Sequence, residues 1–171
     1  MTLTTISIII AAIIYAAYNA ISLANFGIPH SLSMTYYLWK EKCNKGWLFC
    51  LMMYAVVALM MPAWITLSDG STYQFLSFLA PTAIAFVGTA PMFRDDELEG
   101  KVHTGAAIVA AICSLAWVIL VTPYWFSIPI FAFVFMIKAW YTKSIKTAYT
   151  YWLEMVAFGA TFCSTIFYSV M

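Results

Sequence analysis

Six stretches of this chain are continuously apolar over about the length that crosses a lipid bilayer: residues 4–25, 47–68, 75–93, 102–122, 124–141 and 148–170. A transmembrane helix needs roughly 20 such residues. None of the runs shows the alternation of a barrel wall, and a helix satisfies its own backbone in lipid. The expected fold class is therefore all-α, an integral membrane bundle of six transmembrane helices forming one polytopic domain over 1–171. Composition agrees. Hydrophobic side chains make up 64% of the chain and charged ones 9%, against roughly 25% charge in a soluble domain. Eight basic and seven acidic residues leave a net charge of +1, so there is no basic surface for nucleic acid and no self-repelling tail. The expected partner is the bilayer itself. The first run has no basic flank and exceeds the roughly 7–15 apolar residues of a signal-peptide core, so it is expected to be retained.

The placement of the eight basic residues sets an expected orientation. Lys40, Lys42 and Lys45 fall in the first connection, Arg94 and Lys101 flank the third, and Lys138, Lys143 and Lys146 surround the fifth. The second and fourth connections and both tails carry none. By the positive-inside rule the odd connections are cytoplasmic and both termini lie outside. The expected location is a plasma membrane or bacterial inner membrane. Tryptophan prefers the headgroup level. Trp39, Trp47, Trp140 and Trp152 fall near expected cytoplasmic ends, and Trp64, Trp117 and Trp125 near outer ends.

The longest polar break runs from Gly27 to Gly46, where Gly27 and Pro29 should end the first helix. Leu32, Tyr36 and Trp39 then recur at helical spacing, as in a short interfacial helix or a forward extension of the second span. The fourth run opens with a small-residue face, Ala106, Ala110 and Ser114, which suits close helix packing within the bundle or a homo-oligomer contact. Pro62, Pro81, Gly88, Pro91 and Pro129 interrupt other runs, and kinks there could open a cavity.

Ionisable groups inside a membrane mark sites by default. Glu154 lies about four residues inside the sixth run, some 6–10 Å from its cytoplasmic boundary, and should face the bundle. Its bland role is pairing with Lys138 or a tyrosine. Its functional role is proton or cation binding. Asp96, Glu99 and His103 fall at i, i+3 and i+7, a pattern compatible with a divalent metal or proton relay, although acidic groups also belong at a helix N-terminus and Gly100 interrupts the segment. His30, the other histidine, shares that leaflet with His103 and Glu154. Tyr15, Asn19 and Ser22 form a polar stripe aimed at the same end.

Other chemistries lack their motifs. Cys43, Cys50, Cys113 and Cys163 form no CxxC pair, and there is no GxSxG, HExxH or phosphate-binding glycine loop. Ser31 and Ser33 beside His30 carry little weight, because a triad is defined in space. Met52, Met53, Met60 and Met61 match helix packing as well as soft-metal binding. No cofactor is expected, with a divalent metal as the one candidate. The leading expectation is a protein that binds or transports a small solute or ion through a cytoplasm-facing vestibule lined by Glu154, His103, His30 and Asn19. The alternatives are a membrane-embedded enzyme acting on a lipid at the cytoplasmic face, less favoured, and a non-catalytic assembly subunit.

Overall fold

The structure, a computed structural model, describes residues 2–171 and is all-helical among them. Its elements are α1 (Leu3–Phe26), α2 (Met34–Cys43), α3 (Trp47–Leu67), α4 (Leu76–Thr89), α5 (Glu97–Val121), α6 (Ser127–Tyr141) and α7 (Tyr149–Val170). Four of these, α1, α3, α5 and α7, are long and apolar enough to cross a membrane. That is the build of a multi-pass membrane protein.

The expected runs 75–93 and 124–141 give shorter helices, of 14 and 15 residues. At 1.5 Å per residue they span about 21 and 22 Å, less than the roughly 30 Å of a hydrocarbon core. The sequence supplies the stops. Pro91 disfavours helical geometry at Ala90, which ends α4. Pro123 follows the extended Thr122, and Lys143 turns the chain after α6 with φ 54°.

The short helix expected after the Gly27 break is α2. It is separate from α3, because Asn44 ends it in the left-handed conformation. It lies against α1 through Tyr18 Oη and Thr35 Oγ1 at 2.6 Å, and through Trp39 Nε1 donating to Ser22 Oγ at 3.1 Å.

The four long helices and α4 close a circuit: α1 packs on α3, α3 on α4, α4 on α5, α5 on α7 and α7 on α1, while α3 also reaches α7. Helix α6 packs on α7, with only Ser127 and Ala139 buried. Two glycines permit close approach. A Cβ at Gly88 would stand 3.1 Å from Met53 Cβ, and one at Gly159 would stand 2.6 Å from the Phe131 ring.

Three tryptophans are placed by packing rather than by a headgroup level. Trp64 and Trp117 stack face to face, 4.6 Å apart and 4° from parallel, and are 2% and 0% exposed. Their indole N–H groups are satisfied inside the bundle, Trp64 by Thr165 Oγ1 at 3.2 Å and Trp117 by Ser68 Oγ at 2.7 Å. Trp152 is buried and donates to Ser144 Oγ at 2.9 Å. A buried indole with a partner needs no interface. Trp47, Trp125 and Trp140 are the exposed ones, so an interface-facing indole is not what places Trp64, Trp117 and Trp152.

Gly159→Val should push Phe131 off α7 and lower stability by about 1–3 kcal/mol, the usual penalty of overpacking. Gly105→Val, with nothing within 4 Å, should stay within about 0.5 kcal/mol. Unfolding midpoints in detergent check both, and equal midpoints for the two variants would contradict the α6–α7 contact.

Candidate functional site

The site is organised by a non-helical stretch, residues 27–33, part of which is buried against the helical bundle. Helix α1 stops at Gly27, whose φ of 71° suits a residue without a side chain. The chain does not re-enter a helix until Met34, yet Leu32 and Ser33 are only 1% and 3% exposed. Backbone groups outside a helix at such depth must find partners in the protein. Here α7 supplies them. Tyr151 N–H, a first-turn donor with no partner in its own helix, donates to His30 O at 3.0 Å. Leu32 N–H donates to Glu154 Oε2 at 2.6 Å. The His30 ring bonds Thr147 O, and Leu32 O accepts from Thr35 N–H and Thr35 Oγ1.

Glu154 therefore faces the bundle, but its partner is a backbone amide and not Lys138. That pairing is corrected: Lys138 is exposed on α6, and the sole ion pair among the described residues joins Lys101 and Glu97 on the surface. The other carboxylate oxygen, Oε1, accepts no hydrogen bond from the described residues.

His103 meets the adjoining residue of the same stretch. Its Nε2 lies 2.8 Å from Ser33 Oγ and its Nδ1 lies 2.9 Å from Ala90 O. Phe93 stacks on the ring at 4.5 Å. A carbonyl only accepts, so Nδ1 carries a proton, and in the neutral imidazole Nε2 then accepts from the Ser33 hydroxyl. Asn19 is buried and donates to Tyr15 O in its own helix at 2.9 Å.

The acidic residues before α5 have separate duties. Asp96 caps the helix, its Oδ1 accepting from Glu99 N–H at 2.8 Å, and Glu99 Oε2 accepts from Met92 N–H at 3.0 Å. With His103 held by Ala90 and Ser33, these three side chains each have another partner. Among the described residues no cluster of three or more His, Cys, Asp or Glu is placed to hold a metal.

Between α3, α4, α5 and α7 lies a cavity of about 80 Å³, well above the roughly 10–15 Å³ that admits one water. Glu154 and Ser33 are part of its wall, and His103 reaches it through Ser33. The small face of α5 forms another wall through Ala107, Ala110, Ala111 and Ser114. Ala110 and Ser114 are buried, so that face is turned into the bundle. Trp64, Phe158 and Phe162 supply aromatic surface, and Pro81 borders the space from α4. Thr161 also lines it, 6% exposed, and its Oγ1 is the one buried side-chain oxygen or nitrogen without a partner among the described residues.

Of the four residues expected to line a vestibule, Glu154 borders this cavity. His103 and His30 brace the buried stretch, and Asn19 sits in α1. Thr161 was not singled out from sequence, although it lies seven residues beyond Glu154 and hence on the same helix face. No known protein family, curated protein or solved structure matches the chain, so its function is read from the site.

His103→Ala leaves the Ser33 hydroxyl and Ala90 carbonyl without their partner, and should lower stability by about 1–3 kcal/mol. His30→Ala, at an exposed ring, should cost about 0.5 kcal/mol or less. Thermal unfolding in detergent separates them, and equal effects would contradict the bracing role of His103.

Proposed function

We propose that the chain is a membrane protein of six transmembrane segments that binds a small solute within the bundle and carries it across the bilayer. The observation that supports this reading most is the cavity, with a carboxylate in its wall and that carboxylate bonded to the buried stretch at one end. A surface glutamate needs no such environment. One in lipid is retained at a cost of several kcal/mol.

In this reading α4 and α6 cross the membrane with help from the turns that flank them, residues 71–75 and 90–95 on α4 and 122–126 on α6. Both termini lie outside. The eight basic residues gather at the end where α1, α4 and α6 finish and α3, α5 and α7 begin, which is the cytoplasmic end under the positive-inside rule. Solute reaches the cavity from that end past residues 29–33, whose position is set by Glu154, His103 and Thr147. The small face of α5 gives the cavity its width.

Proteoliposome uptake of protons, sodium and short-chain organic solutes tests the function. Whichever species wild type moves, Glu154→Gln and the cavity-filling Ala110→Phe should each slow it by about tenfold or more, a loss of some 1.4 kcal/mol of barrier stabilisation. Flux equal to that of empty liposomes for every species, or flux indifferent to both substitutions, would refute it. The orientation has its own test. An alkaline phosphatase fusion after Met171 should be active and a fluorescent fusion there dark in a bacterial host, and the reverse pattern would place the C-terminus inside.

A further inference from the structure

We infer that the solute is a small amphipathic amine, bound as its ammonium with the charged end on Glu154 Oε1, the apolar body along α7 and a polar far end on Thr161. This rests on the proposed binding of a solute in the cavity and specifies its chemistry.

The first ground is charge balance. A carboxylate in the bundle interior needs a counter-charge or a proton, and none of the eight basic side chains supplies the charge. Lys101 pairs with Glu97 and Lys42 with Asn25. Lys40 and Arg94 lie over the rings of Tyr36 and Tyr37. Lys45, Lys138, Lys143 and Lys146 are exposed. One oxygen of Glu154 is taken by Leu32 N–H and the other is unclaimed, so the group has a place for a single donor cation, and a proton takes that place when no cation is bound.

The second ground is the wall. A bare metal ion requires several oxygen or nitrogen ligands at bonding distance, whereas the oxygen-bearing side chains here are Glu154, Ser33, Ser114 and Thr161 in an otherwise apolar lining. That lining suits hydrocarbon. Phe158 lies one turn beyond Glu154 and Phe162 two turns, and aromatic faces attract an organic cation more than they do water.

The third ground is independent of Glu154. Thr161 Oγ1 is buried with no partner, a costly state unless something else completes it. Seven residues of helix separate it from Glu154, about 10 Å along the axis. A flexible six-carbon chain with an amine at one end and a hydroxyl at the other is long enough to reach from one to the other.

Calorimetric titration of 6-amino-1-hexanol and 1-hexanol into the full chain in phosphatidylcholine nanodiscs tests this. The amino alcohol should bind saturably, and 1-hexanol about tenfold more weakly or less. Glu154→Gln should weaken the amino alcohol about tenfold or more, as a lost hydrogen bond to a charged group does. It keeps a carbonyl oxygen for Leu32 N–H, and an unchanged melting temperature confirms the fold. Thr161→Val should weaken it by about two- to tenfold and leave 1-hexylamine unaffected. Equal binding of 1-hexanol and 6-amino-1-hexanol, both abolished by Ala110→Phe, would overturn the amine while leaving solute binding in the cavity intact. No binding of either compound would also overturn it, and the flux measurements then judge the wider reading. An ammonium can come from a free amine or a phosphatidylethanolamine headgroup. Adding that lipid to the nanodiscs should weaken the amino alcohol if the headgroup is the natural occupant and leave it unchanged if a free amine is.

Discussion

The requirement that every backbone amide and carbonyl in an apolar interior find a partner governs the end of the bundle where chemistry is concentrated. Helices meet it internally. The residues between Gly27 and Met34 do not form a helix, yet Pro29, Leu32 and Ser33 among them are buried. Their position therefore depends on groups that other elements bring to them: the Tyr151 amide, the Glu154 carboxylate and, through Ser33, the His103 imidazole. Helices α1, α5 and α7 are joined at this end through these few bonds, and α2 begins where they place it.

How far the sequence discloses this varies with the kind of interaction. Apolar run length and basic-residue placement depend on composition alone, so the long helices, the break at Gly27 and the inward turn of Glu154 were legible. Helix lengths were less so, because a run such as 75–93 stays apolar through Pro91 while the backbone stops being helical at Ala90. The partner of Glu154 left no trace, since a backbone amide is present at every non-proline residue and has no side-chain signature. Lys138 was the natural choice from charge, but charge says nothing about reach. Trp64 and Trp117 were misread for a related reason. Their positions near helix ends fit a headgroup level, and only the fold shows them stacked on each other with their N–H groups satisfied. Thr161 needed the cavity to gain meaning, because a threonine mid-helix more often bonds back to its own backbone, as Thr165 does to Thr161 O.

The cavity itself follows from how small and large residues are distributed. On α5, Ala107, Ala110, Ala111 and Ser114 would let a neighbouring helix approach closely. One turn further on, Trp117 stacks on Trp64 and holds α3 and α5 apart at that end. At the other end the buried stretch carrying Leu32 and Ser33 fills the space. Bulk at both ends with alanine between leaves an opening in the middle, and Pro81 on α4 presents no backbone N–H to it.

Glu154 belongs both to the cavity wall and to the bonds that hold Leu32 and Ser33 at one end of it, which in the proposed function would couple occupancy to access. Its Oε2 is bonded to Leu32 N–H and Oε1 has no hydrogen bond from the described residues. A cation on Oε1 can be held without disturbing Oε2, so the end can stay closed around a bound ligand. Protonation differs, because a carboxylic acid is a weaker acceptor than a carboxylate and loosens the bond to Leu32. The next residue, Ser33, is tied to His103, so a shift of Leu32 also strains the bond on α5. In the proposed function, the ionised and protonated forms of Glu154 would thus differ by about the strength of one charge-assisted hydrogen bond and its neighbour. That is the differential interaction a ligand needs in order to shift a conformational equilibrium.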